Sequence, residues 1–148
     1  MKKLILAVLP FFFFATAFAQ MENPVKWTYS VKKIKGDVYE LHMTAAIGAK
    51  WHLYAQEAGE GPIPTTISFI KNPIIKLDGK VIEIGKLEKE FDKTFKSTLM
   101  FYSKNVDFVQ KLKLKSSVST SIKGRIDYMT CNESRCIPNN VTFNIKVN

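Results

Sequence analysis

Residues 121–147 read SIKGRIDYMTCNESRCIPNNVTFNIKV, and their pattern decides the fold. In the last seven, Val141, Phe143, Ile145 and Val147 point one way while Thr142, Asn144 and Lys146 point the other. Such alternation with period two is what a strand with one buried face requires. Ser121 to Met129 reads as a second strand. Between the two lie Cys131 and Cys136, which enclose only Asn132-Glu133-Ser134-Arg135. A hairpin loop there would bring the two sulfurs close enough to bond.

The rest of the chain repeats the same grammar. Val25 to Val31 and Val38 to Met43 alternate in the same way, and Thr66 to Ile70, Val81 to Ile84, Leu99 to Val109 and Gln110 to Lys115 are further strand candidates. Turn signals separate them: Lys35-Gly36-Asp37, Gly59-Glu60-Gly61-Pro62, Asn72-Pro73, Asp78-Gly79 and Pro138-Asn139-Asn140. Only Lys86 to Lys96 has helical leanings, and it lacks an apolar stripe. Eight or so short strands with frequent turns predict an all-β single domain, a β-sandwich, with a barrel as the alternative.

The N-terminus follows a different rule. Lys2 and Lys3 precede an apolar run from Leu4 to Phe14, and Ala17 and Ala19 supply small residues at the positions a signal peptidase reads. Residues 1–19 therefore read as a secretory signal peptide and 20–148 as the exported domain. The apolar run is shorter than the roughly 20 residues of a spanning helix and contains Pro10. The expectation is an exported chain whose mature part does not insert into a membrane.

The full chain has 148 residues, with 22 Lys+Arg against 13 Asp+Glu, a formal charge of +9 that becomes +7 without Lys2 and Lys3. The lysines are dispersed, Lys32-Lys33-x-Lys35 being the one short cluster, which argues for a solvated basic surface and against a nucleic-acid partner. Two cysteines exclude a disulfide-rich miniprotein and a four-cysteine zinc module. His42 and His52 could complete four metal ligands by count with the cysteines, but no local ligand spacing supports this. A cysteine hydrolase would need a base near its nucleophile, and no histidine flanks the pair. Gly59-x-Gly61 precedes prolines and no helix, so no phosphate loop is read. Neither a cofactor nor a metal is expected. Trp51 and Tyr54 read as core or edge packing, and Glu90 and Asp92 as solvated loop charges.

The cysteine pair carries the chemistry, and spacing alone leaves two readings open. As a structural staple it closes so short a loop that it removes only about 2 kcal/mol of unfolded-chain entropy. As a reversible dithiol it offers a sulfur in an exposed turn to a partner thiolate. Arg135 favours a thiolate at Cys136 and Glu133 opposes it.

Tyr128-Met129-Thr130-Cys131-Asn132-Glu133-Ser134-Arg135-Cys136-Ile137-Pro138 resembles the cysteine loop of the N-terminal periplasmic domain of the thiol:disulfide interchange protein DsbD. Upstream, Trp51-His52-Leu53-Tyr54-Ala55-Gln56, Gly61-Pro62-x-Pro64-Thr65 and Phe91-Asp92-x-x-Phe95 follow in that family's order, with Trp27 near the mature start and Gly124-x-Ile126-x-Tyr128 before the first cysteine. The likeness covers nearly all of the mature chain. It implies an immunoglobulin-like sandwich that passes reducing equivalents to and from thioredoxin-like periplasmic proteins. It also implies that Cys136 exchanges with partners, that Cys131 resolves the mixed disulfide, and that a cap loop around Phe91, Asp92 and Phe95 shields the pair, through one phenylalanine or the other.

Two departures accompany the resemblance. Full-length members continue into a membrane domain and a thioredoxin-like domain, whereas this sequence stops at Asn148, so the expectation is a separate membrane electron donor. The family's second proline after the loop is Asn139 here. A free-standing shuttle and an exported binding domain with a structural hairpin disulfide thus remain the two alternatives.

Overall fold

The structure, a computed structural model, describes residues 23–147. The signal-peptide reading of residues 1–19 lies outside the described residues. Ten strands follow in order: β1 (Val25–Lys35), β2 (Val38–Ile47), β3 (His52–Tyr54), β4 (Thr66–Phe69), β5 (Ile75–Gly85), β6 (Glu88–Asp92), β7 (Ser97–Tyr102), β8 (Asn105–Leu114), β9 (Thr120–Cys131) and β10 (Cys136–Val147). They form an immunoglobulin-like sandwich of two antiparallel sheets. One sheet has the order β1-β2-β8-β5; the other runs β10-β9-β3-β7-β6, with β4 paired to β9 alongside β3.

Alternation fills the space between the sheets. Leu41, Met43 and Ala45 of β2 and Val106, Phe108 and Leu112 of β8 meet Ile122, Ile126 and Tyr128 of β9 in one buried cluster. Trp27 bridges the layers, its ring centroid 5.7 Å from Phe108 and 5.4 Å from Tyr128. Phe143 and Val147 of β10 are buried, with Val141 and Ile145 packed against the same core, as the period-two pattern required. Pro138, lacking an N–H, sits in β10, an edge strand, where a proline is tolerated.

Several boundaries differ from the sequence reading, each for a local reason. Lys86 to Lys96 forms no helix: its first part is β6, and a turn follows. Pro138-Asn139-Asn140 lies inside β10, paired with Met129, Tyr128 and Asp127, and is no turn. The chain reverses at Ser103-Lys104, between β7 and β8, and not between Val109 and Gln110. Asp78-Gly79 opens a bulge within β5: the register passes from Asp78 opposite Lys111 to Ile82 opposite Val109. Gln110 thus faces Gly79, Lys80 and Val81 together, a local excess that bends a strand. Its side chain, 2% exposed, closes the gap by donating Nε2–H to the carbonyls of Asp78 and Gly79 at 3.3 Å and of Lys111 at 2.7 Å. A polar residue that resembles a strand end is here a buried plug.

Gly124 marks a close approach of β9 to β4 and to the Phe143 ring of β10. A Cβ there would collide with the Ser68 carbonyl of β4 and lie 2.5 Å from Phe143 Cζ. Because backbone cannot yield as a flexible side chain does, Gly124→Ala should destabilise the fold by about 2–3 kcal/mol, read as a lower urea midpoint with an unchanged slope.

Candidate functional site

Cys131 ends β9 and Cys136 begins β10, opposite one another in the hairpin register and joined by a disulfide with Cα atoms 4.0 Å apart. Asn132 organises the loop between them. Its N–H donates to the Arg135 carbonyl, and its Oδ1 accepts from the N–H groups of Ser134 and Arg135, each at 2.9 Å. The Arg135 guanidinium lies 5.9 Å from the Trp51 ring centroid, within cation–π range.

The two sulfurs occupy unequal positions. Cys131 has strands on both sides, β10 and β3, where it faces His52, and is only 2% exposed. Cys136 lies on the sheet edge and is exposed.

Beneath the bond lies a second apolar cluster, separate from the main core: Tyr54, Ala58, Leu99 and Cys131 are buried, with Phe101 and Met129 packed against them. On β7, Leu99 and Phe101 face this cluster while Met100 and Tyr102 belong to the core. The His52 ring lies 5.1 Å from Tyr54 and 4.6 Å from Phe101, and its Nε2 is 3.2 Å from the Tyr54 hydroxyl. Thr65 fixes this strand end, its hydroxyl donating to the Tyr54 carbonyl at 2.6 Å. Burial lowers the His52 pKa below its ordinary 6.5, against the opposing pull of Glu90 and Glu88. Burial, aided by Asp92, raises that of Tyr54, which keeps its proton.

The turn from β6 to β7 forms the opposite wall. Asp92 Oδ1 accepts from the N–H of Thr94 at 2.7 Å and of Phe95 at 3.0 Å, and Lys96 takes the left-handed conformation at φ 54°. The Phe95 ring rests on Gly61 so closely that a Cβ at 61 would overlap it; Gly61 is also at φ 119°, where side chains are rarely found. Phe95 is 41% exposed and Phe91 61%. All five residues singled out in the sequence, Cys131, Cys136, Phe91, Asp92 and Phe95, line one cleft of about 770 Å³. Trp51, His52, Tyr54 and Phe101 line it too. Sequence reasoning missed this inner wall: three of the four belong to short strands, His52–Tyr54 and Ser97–Tyr102, whose outward face looks like ordinary packing. His42 is on β2 in the other sheet, its Nδ1 2.7 Å from Asp107 Oδ2.

The arrangement can present one sulfur of a disulfide to a second protein while burying the other over aromatic rings. The family model described as thiol:disulfide interchange protein DsbD, N-terminal, matches residues 19–147. No curated protein matches the chain in sequence. Among solved structures, the N-terminal periplasmic domain of ScsB from Proteus mirabilis is similar with TM-score 0.63 and 17% identity over 84% of this chain; the chain spans about half, 47%, of that one. The Neisseria meningitidis DsbD N-terminal domain in the reduced form is similar with TM-score 0.50 and 15% identity, covering 82% of this chain and 86% of that one.

The Asp92 turn gives a pH signature. Its backbone hydrogen bonds, led by the one from Phe95, hold the carboxyl below its ordinary 3.8. Because the folded value is depressed, the turn's support is fully present above the ordinary 3.8 and is lost as pH falls from there through the folded value. In an NMR titration the Thr94 and Phe95 amide shifts should move with a midpoint below 3.8, and Asp92→Asn should abolish that movement.

Proposed function

The chain belongs to the family of DsbD N-terminal domains, and on that premise we propose that it is a periplasmic thiol–disulfide exchange domain passing reducing equivalents between thioredoxin-like proteins through Cys131 and Cys136. The observation that carries this reading is the asymmetry of the bond, with one sulfur buried and the other on an exposed sheet edge. In-line attack on a disulfide selects the sulfur that a thiolate can reach, and the other leaves. Cys136 is thus the exchanging residue. A partner thiolate attacks its Sγ, a mixed disulfide forms, and Cys131 departs with the electron pair of the broken bond. In reverse, Cys131 attacks Cys136 Sγ and releases the partner.

The walls of the cleft support the same reading. The hairpin holds the pair on two long paired strands, so the sulfurs need not search for one another after reduction. The turn bearing Phe91, Asp92 and Phe95 acts as the cap, with Phe95 seated on Gly61 and Phe91 at the lip. Residues 1–19 serve as the export signal, and the reducing equivalents come from a membrane electron donor.

Capture of a partner tests the proposal. Cys131→Ala should accumulate a mixed disulfide through Cys136 with a thioredoxin-like protein, visible on non-reducing gels and released by dithiothreitol, while Cys136→Ala should accumulate much less. The alternative, a stapled hairpin in a binding domain, requires a bond that resists reduction, with a potential below about −300 mV. A titrated potential that low, together with no trapped adduct, would end the exchange reading.

A further inference from the structure

One titratable side chain in the cleft has no part in the exchange steps above. His52 stands opposite Cys131 in the β3–β9 register, so the two side chains leave the sheet on the same face, and both line the cleft. Directly opposed residues hold their Cβ atoms about 5 Å apart, a gap that an imidazole and a thiol can bridge. The ring is also fixed, between Tyr54 and Phe101 and by the contact of Nε2 with the Tyr54 hydroxyl.

We propose that His52 is the proton acceptor and donor for the sulfur of Cys131, an inference that rests on the exchange reading. The need for it follows from burial. Cys131 must lose a proton before it attacks and gain one after it leaves, yet at 2% exposure it has little access to water. In the attacking direction, Nε2–H donates to the Tyr54 phenol oxygen and Nδ1 keeps its lone pair. Nδ1 takes the proton of the Cys131 thiol. The resulting thiolate attacks Cys136 Sγ, forming the Cys131–Cys136 bond and breaking the bond from Cys136 to the partner sulfur. The partner leaves as a thiolate with that electron pair and takes up the proton held by the imidazolium. In reverse, the neutral imidazole takes the proton of the partner thiol, the partner thiolate attacks Cys136 Sγ and breaks its bond to Cys131, and the imidazolium then protonates the departing Cys131 thiolate.

The surroundings keep this group in the base form near neutrality. Burial favours the neutral ring and outweighs the opposing pull of Glu90 and Glu88. Tyr54 contacts it from its own strand, while Glu88, Glu90 and Asp92 face the cleft from β6. Lys50, Lys93 and Glu133 complete the charged lining from the flanking loops.

The reduced chain, mixed with oxidised glutathione, acid-quenched and followed by mass spectrometry, gives the lifetime of the adduct at Cys136. For His52→Gln this lifetime should be about tenfold longer at pH 7, a modest loss for a general base. Wild-type resolution, corrected for thiol ionisation, should slow as pH falls through the titration of His52 on the acid side of 6.5, and the variant should lack that limb. As a second measurement on the unmodified chain, the His52 ring pKa read by NMR should differ between oxidised and reduced forms. An adduct that forms and resolves in His52→Gln at the wild-type rate and with the wild-type pH profile overturns the role of His52 alone, as does a ring pKa indifferent to redox state. Failure of Cys136 to form any adduct overturns this proposal together with the exchange reading.

Discussion

The site depends on the pairing of one strand, β9, whose end is shared between two neighbours. On one side Cys131 pairs with Cys136 of β10; on the other it pairs with His52 of β3. Backbone pairing on both flanks buries the first cysteine, and β10, the outermost strand of its sheet among the described residues, leaves the second exposed. No special loop conformation is needed to make the sulfurs unequal. The same pairing brings His52 and Tyr54 under the bond, and β7, hydrogen-bonded to β3, adds Leu99 and Phe101.

The energetic roles of bond and core are separable. Closing a loop this short is worth only about 2 kcal/mol through unfolded-chain entropy. The sandwich meanwhile buries side chains such as Leu41, Phe108 and Ile126 almost completely, each worth about 1.5–3 kcal/mol when taken from water. A fold supported in this way draws little of its stability from the bond, in keeping with the proposed exchange. The small cluster beneath the sulfurs is a separate apolar floor for the bond.

Legibility from sequence followed the length of each periodic run. Val141 to Val147 and Ser121 to Met129 alternate long enough to specify strand, face and hairpin, and the cysteines between them marked the candidate site. Phe91, Asp92 and Phe95 came from motif resemblance, since nothing in the periodicity of a turn says which cleft it overhangs. His52 was legible only within a motif, because the three-residue strand His52–Tyr54 is too short to show which face it presents, and Phe101 was read within a strand without its face. Gln110 misled for a physical reason: its polarity suggests a boundary, whereas two carbonyls of the bulge and that of Lys111 on its own strand satisfy its buried amide.

That bulge bears on how molecules meet in solution. β5 is the outer strand of its sheet, eleven residues long, with Ile82 and Ile84 both 56% exposed. A straight, greasy ribbon of this kind is a template on which a second copy could add its own strand and begin to aggregate. The interruption at Gly79, Lys80 and Val81 leaves two four-residue segments, Ile75–Asp78 and Ile82–Gly85, in different registers. The exposed edge is thereby broken into two short pieces of different register, one of the devices by which edge strands discourage pairing with a second chain.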